Sequence, residues 1–295
     1  MTRRVLITGA NKGIGQATVA AALERDPECF VFLGSRSKER GEAAKAELSA
    51  ERSGWAERIE VLGLDVADDA SVAAAAEHVA QRYGRTPAPL SGIVNNAGIG
   101  LGSADLATIL DVNTRGPKRV IDAFLPLLVE DGRIVNVSSA SGPMFVSGCS
   151  EARQAEFTNP GATWQTVEAL MKEALDVRAA GGDFAGAGLG EGNAYGLSKA
   201  LLNLYTMSLA REYPRRTINA CTPGYIATDL TLPHAKARGM DPAAMGMKTP
   251  KEGSRASIHL LFGEPGGSGW YFGSDAQRSP LDRYRSPGDP AYTGA

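Results

Sequence analysis

A phenol and an ammonium stand four residues apart in the stretch Asn193-Ala-Tyr195-Gly-Leu-Ser-Lys199. On a helix that spacing puts both groups on one face, within reach of a single ligand. A free tyrosine ionises near ~10, too high for ready proton transfer at neutral pH, and an adjacent cation lowers that value. The pair reads as a tuned proton donor or acceptor. A reaction partner is suggested at the other end of the chain, where the apolar run Val5-Leu6-Ile7 leads into Thr8-Gly9-Ala10-Asn11-Lys12-Gly13-Ile14-Gly15. Glycines there allow a tight turn, backbone N–H groups can approach a pyrophosphate, and a helix N-terminus favours an anion. The spacing differs from the G-x-G-x-x-G fingerprint but keeps its physics. The alternative is a glycine-rich strand–helix turn with no ligand.

Further residues refine that chemistry. After the second apolar run comes Gly34-Ser35-Arg36-Ser37-Lys38, with no carboxylate before Glu39. An acidic residue at this point would bond the ribose 2′-hydroxyl of NAD, whereas arginine accommodates the 2′-phosphate of NADP. Arg36 therefore favours NADP(H), with Lys12 adding positive charge; otherwise Arg36 is a solvated helix-start residue. Ser139, closing Asn136-Val-Ser138-Ser139, offers a hydroxyl to a substrate carbonyl oxygen as charge develops on it. Asn113 reads from its surroundings as a cap or turn residue. His78, His234 and His259 sit outside every motif, and the carboxylates have no metal-ligand spacing, so no metal is expected.

The elements that must position these groups alternate. Val5–Ile7, Phe30–Leu33, Ile59–Leu62, Leu90–Val94, Arg133–Val137 and Thr217–Cys221 read as buried strands, with Trp270–Phe272 as a plausible last one. Helical patterns fall at 14–24, 38–52 and 71–83, through Val120 to Leu128, and at 194–212. That cadence predicts an α/β fold: a single doubly wound Rossmann-type parallel sheet of about seven strands, helices on both faces. Ligands of such sheets lie beyond the carboxyl ends of the strands, where Thr8, Gly34, Asp65, Asn95 and Ser139 all fall. Residues 143–192 break the rhythm as an insertion. It holds a short helix near 150–157, a helix from Trp164 to Ala179 capped by Thr163, and six glycines within 181–192 that predict a mobile loop. Residues 273–295, rich in Pro, Gly, Ser and charge, read as a C-terminal tail to one domain spanning 1–295.

Composition excludes other classes. With 43% hydrophobic residues the 295-residue chain can bury a full core, and a net charge of −2 leaves no footprint for nucleic acid. The longest apolar runs fall short of a membrane span. Three cysteines without ligand spacing and an N-terminus that enters a strand at once, leaving no room for a signal peptide, point to the cytoplasm.

Taken together, Thr8-Gly9-x-x-x-Gly13-x-Gly15, Asp65-Val66, Asn95-Asn96-Ala97-Gly98, Asn113, Ser139, Tyr195-x-x-x-Lys199 and Pro223-Gly224-Tyr225-Ile226-x-Thr228 resemble the short-chain dehydrogenase/reductase superfamily over residues 3 to about 272. Within it the chain is most similar to the NADPH carbonyl reductases and their plant ketone-reductase relatives. These share the Asn11-Lys12 form of the loop and a long insertion, here 56 positions from Ser139 to Tyr195. The resemblance implies an Asn113–Ser139–Tyr195–Lys199 tetrad. Tyr195 would protonate the carbonyl oxygen that Ser139 holds, and Lys199 would bind the ribose and depress the tyrosine pKa. Asn113 would position a water beside Lys199. It further implies Asn11 and Lys12 near the 2′-phosphate, Asp65 and Val66 at the adenine, and Asn95, Ala97 and Gly98 on the adenine-ribose side. Ile14, Pro223, Gly224 and Ile226 would line the cofactor cleft, with Thr228 at the carboxamide.

The expected activity is NADPH-dependent reduction of an aldehyde, ketone or quinone. The alternatives are an NAD(P)-linked dehydrogenase of terpenoid or steroid alcohols and a non-catalytic nucleotide-binding regulator. Met144, Phe145 and Tyr225 are expected to line an apolar substrate pocket. Most of the superfamily associates through the helices that would start here near Asn113 and Ala194. The apolar face of the 164–179 helix is expected to cover them and leave a monomer.

Overall fold

A computed structural model describes residues 2–100, 105–191 and 193–294. The predicted alternation is present. It runs β1 (Arg3–Ile7), α1 (Gly13–Arg25), β2 (Cys29–Ser35), α2 (Lys38–Glu51), β3 (Ile59–Gly63), α3 (Asp69–Tyr83) and β4 (Leu90–Asn95). Next come α4 (Leu106–Leu110), a π-helical turn (Asp111–Arg115), α5 (Gly116–Phe124) and β5 (Leu128–Val137). The insertion carries α6 (Ser141–Ser147), α7 (Glu151–Phe157) and α8 (Trp164–Ala179), followed by α9 (Ala194–Glu212) and β6 (Thr217–Cys221). The chain then forms α10 (Leu232–Arg238), α11 (Pro250–Gly253), α12 (Arg255–Phe262), β7 (Tyr271–Phe272) and β8 (Arg278–Ser279).

The strands make one sheet in the order β3-β2-β1-β4-β5-β6-β7-β8. All pairs are parallel except β7 with β8, so the sheet has eight strands where about seven parallel ones were expected. Period-2 alternation divides each strand between two cores. Leu6 and Phe32 point to the face covered by α3, α5 and α9, whereas Val5, Ile7, Val31 and Leu33 face α1, α2 and α12. The chain reverses its direction of travel between β1 and β4. A doubly wound sheet opens its ligand crevice at that point.

Four sequence expectations need revision. The helix expected to reach Leu128 ends at Phe124, because Pro126 cannot donate an amide and the chain tightens into a 3₁₀ turn at Leu125–Leu127. β5 accordingly begins earlier than Arg133. Pro143–Val146, at the head of the insertion and given no element in the sequence reading, lies inside α6. The loop predicted to be mobile is, over 181–191, a compact run of turns. Phe184 and Leu189 are buried in the core, Leu189 N–H bonds Phe184 C=O at 2.7 Å, and the Arg178 guanidinium lies 4.8 Å from the Phe184 ring. Residues 273–294, read as a tail, fold onto the sheet edge through β8. Arg278 lies between the rings of Trp270 (4.0 Å) and Tyr292 (5.3 Å), and Asp275 pairs with Arg285.

In the insertion, α8 starts at a capping box between Thr163 and Thr166. Its buried Val167, Leu170, Met171 and Ala174 pack in the core that also holds α9. Trp164 meets Tyr205 of α9 edge-to-face at 5.0 Å, and Lys118 of α5 lies 5.5 Å above the Trp164 ring. No helix among the described residues is long and apolar enough to cross a membrane.

Candidate active site

The glycine loop follows β1 directly. Gly9 (φ +60°) and Gly13 (φ +56°) take left-handed backbone that other residues resist. Gly15 is needed for space, since a Cβ there would lie 2.5 Å from Asn96 Nδ2 and against the Gly9 carbonyl. α1 then begins with no side-chain cap and no acidic residue in its first turn. Its first N–H groups are therefore open to an anion, and the dipole favours one. The loop is braced from β4: the Thr8 hydroxyl accepts from the amides of Asn96 and Ala97, both at 3.0 Å, and Asn96 Nδ2 donates to Thr8 C=O at 2.9 Å. The result is a braced turn whose leading amides have no side-chain partner.

Around it, Asn11 and Ile14 are half-buried, and Lys12 is exposed, 2.5 Å from Asp229. Arg36 is exposed at the end of β2, just ahead of Ser37, which caps α2. Asp65 and Val66 follow β3, the Asp65 carboxylate accepting from the Ala67 amide at 3.0 Å. Asn95 differs from expectation. Its side chain is buried and donates to Asn136 at 2.9 Å inside the sheet, so Asn96, Ala97 and Gly98 form the rim in its place. On the far side, Pro223, Gly224 and Ile226 leave β6. Thr228 closes over the loop, with its Cγ2 3.4 Å from where a Gly13 Cβ would stand.

The four proton-handling candidates converge at the ends of β4, β5 and α9. Asn113 occupies the π-helical turn, a widened helix that aims one side chain out of register and recurs at functional sites. Fully buried, it clamps Ile99 through both main-chain groups at 2.9 Å and donates to Ser198 Oγ at 3.1 Å. The Ser198 hydroxyl in turn donates to Tyr195 C=O at 2.7 Å. Lys199 is buried and donates to Val137 C=O at 2.9 Å. A Cβ on Gly98 would lie 3.2 Å from Asn113 Oδ1 and 3.6 Å from Lys199 Nζ, so the exposed Gly98 is the open floor above both.

Ser139 reaches Tyr195 because α6 and α9 touch backbone to backbone. A Cβ on Gly142 would lie 3.0 Å from the Lys199 carbonyl carbon, and one on Gly196 would lie 2.9 Å from Phe145 Cβ and from Ser141 O. Burial raises the Tyr195 phenol above its ordinary value, and its hydrogen bond to Ser139 pulls the other way. Burial lowers the Lys199 ammonium to about 8. Lys199 was expected to depress the tyrosine. Here its Nζ lies 5.7 Å from the Tyr195 ring centroid and is committed to Val137, so burial dominates and the phenol keeps its proton at neutral pH.

Residues 3–151 match the family model described as short chain dehydrogenase. The chain is 31% identical to "Carbonyl reductase [NADPH] 1" of Rattus norvegicus, over 90% of this chain and 92% of the relative. It is also 31% identical to "Short-chain dehydrogenase/reductase 1" of Saponaria officinalis, at the same coverage. The chain belongs to the short-chain dehydrogenase family. Among solved structures, the menthone neomenthol reductase from Mentha piperita superposes on this short-chain dehydrogenase with a TM-score of 0.74 and 27% identity, covering 93% of this chain and 99% of that one. The family makes the chain an oxidoreductase and accounts for the carbonyl-reductase resemblance of its motifs.

Of the residues expected at the substrate mouth of this dehydrogenase, Met144 and Tyr225 are exposed, at 57% and 37%. Phe145 instead turns inward, edge-to-face with Phe157 at 5.6 Å, because the Gly196 contact draws α6 onto α9. Leu230, Leu232 and Met240 add exposed apolar surface beyond Thr228 that no motif marked. Sequence reasoning also passed over Gly142, Ser198 and Asp229, whose roles arise from contacts between distant segments.

Proposed function

We propose that this chain is an NADPH-dependent carbonyl reductase that converts aldehydes, ketones or quinones to alcohols. One observation carries the reading. A Tyr195 phenol that burial keeps protonated stands beside Ser139 and one helical turn before a buried ammonium, beside an open glycine rim. A bound nicotinamide supplies the hydride. Ser139 and Tyr195 then hold the carbonyl oxygen, and Tyr195 delivers its proton as negative charge develops there. Lys199, cationic below about 8, would hold the ribose hydroxyls. Asn113 keeps Ile99 and the Gly98 rim in place and tethers Ser198, whose bond to the Tyr195 carbonyl orients the first turn of α9.

The preference for NADP(H) rests on Arg36 and Lys12 at the end of the cleft, where β2 ends without a carboxylate. The bond partners of Asn95 lie within the sheet, so the adenine-ribose side is assigned to Ala97 and Gly98 with Asp65 and Val66. Three buried, unpaired cysteines suit a cytoplasmic, single-domain enzyme.

The test is NADPH oxidation against a panel of quinones, aromatic ketones, aldehydes and terpenoid ketones. Tyr195→Phe should lose roughly 10²–10⁴ in turnover while binding NADPH normally. Arg36→Asp should weaken NADPH more than tenfold and spare NADH, as loss of a charge-assisted contact of about 1.5–3 kcal/mol requires. Near-native turnover by Tyr195→Phe refutes the mechanism, and equal loss of both cofactors in Arg36→Asp refutes the cofactor choice.

A further inference from the structure

The Lys12 ammonium already has a partner. Its Nζ lies 2.5 Å from Asp229 Oδ2, joining the glycine loop to a segment 217 positions away. The turn that bears Asp229 is held firmly. Thr231 Oγ1 donates to the Ile226 carbonyl, the Thr228 amide donates to Thr231 Oγ1 at 3.1 Å, and Ile226 bridges to Lys248. Thr228 meanwhile packs against Gly13. Among the described residues, neither Lys12 nor Asp229 has another ion-pair partner. A carboxylate seated on a lysine competes with any other anion that lysine is to bind, and it repels that anion as well.

We propose that Asp229 and the 2′-phosphate of the cofactor compete for Lys12, so that Asp229 is a specificity-determining residue that holds down affinity for the phosphorylated cofactor. The inference rests on the NADPH reading. A phosphate carries more charge and more acceptor oxygens than a carboxylate, so it displaces Asp229 from Lys12. A cofactor without the phosphate leaves the pair intact. Displacement removes the only ion pair between the glycine loop and the turn that bears Asp229 among the described residues, while the Thr228–Gly13 packing remains. That segment carries exposed Tyr225, Leu230 and Leu232, and Leu230 rests on Gly100 beside the candidate site.

Both partners are more than half exposed, at 59% and 72% of their side-chain surface, so solvent screens the pair and the effect is modest. An exposed pair of this kind is worth a factor of about two to five in an equilibrium. The experiment titrates NADPH and NADH against intrinsic tryptophan fluorescence at low salt, for the wild type, Asp229→Asn, Asp229→Glu, Lys12→Ala and the Lys12→Ala/Asp229→Asn double variant. Asp229→Asn should tighten NADPH about two- to fivefold and leave NADH unchanged. Asp229→Glu, which keeps the charge, should stay near the wild type, and the gain should vanish in the Lys12→Ala background. Unchanged or weaker NADPH binding by Asp229→Asn overturns the proposal, as does equal tightening of both cofactors. If Lys12→Ala and Arg36→Asp both weaken NADPH and NADH alike, the cofactor reading itself fails. If they discriminate while Asp229→Asn does not, only the competition fails.

Discussion

Lys199 shows how one residue ties stability to chemistry. Burial brings its ammonium from 10.5 to about 8. Between those values the unfolded chain holds more protons than the folded one, so the stability linked to this group rises with pH through that window. Below it, the buried charge costs on the order of 3 kcal/mol. Replacement by the uncharged Lys199→Met should abolish that slope. Urea unfolding of both proteins at pH 7 and pH 10.5 should therefore show the wild type gaining on the variant by about 3 kcal/mol. A difference that does not move with pH would mean the ammonium is not depressed. The lysine was legible from its spacing to Tyr195. Its depressed proton affinity was not, because burial depends on β5 and β6 closing around it.

Among elements, the α6–α9 crossing decides whether Ser139 and Tyr195 meet. Gly142 and Gly196 let the two helices touch without side chains between them. A methyl group at Gly142 would meet backbone atoms of Lys199 and Ala200 at 3.0 and 3.1 Å, which cannot swing aside as a side chain can. Gly142→Ala should thus lower turnover about tenfold or more through misalignment of Ser139, with a stability loss of roughly 1–3 kcal/mol. NADPH affinity should fall less than turnover, because the glycine loop, Lys12 and Arg36 are remote from the crossing and of the cofactor-side residues only Lys199 meets it. Steady-state kinetics beside direct cofactor titration separates the two, and native turnover would show that the crossing tolerates the methyl group. α8 was readable to the residue, since an apolar face ran between a Thr163 cap and a Gly181 stop, and α9 was readable from the resumption of the strand–helix rhythm. The π-helical turn at Asn113 was not readable, because a one-residue widening leaves the apolar period almost unchanged.

At the scale of the whole molecule, α9 is enclosed by its own chain. Residues Ala194 and Gly196 through Thr206 are buried without a break after Tyr195, more than three turns, so every face of that stretch is covered. Part of the cover is α8, seated through Trp164 on Tyr205. A second copy has no face of that stretch left to pair with. Sedimentation at micromolar concentration should accordingly give a single monomeric species; a stable dimer or tetramer refutes this.

Local chemistry and periodicity by themselves determined the alternation of strand and helix in a doubly wound sheet, the glycine-rich turn after β1 and the Tyr195–Lys199 pair. Each depends on neighbours within about one helical turn or one strand–helix junction. The tertiary structure alone decided what lies between segments far apart in the chain. It turned Asn95 into the sheet and Phe145 into the core, set Gly142 against Lys199, folded residues 273–294 onto the sheet edge, and brought Asp229 to Lys12. Those outcomes are set by packing and by the satisfaction of buried polar groups, both of which sum over contacts that no local window of sequence contains.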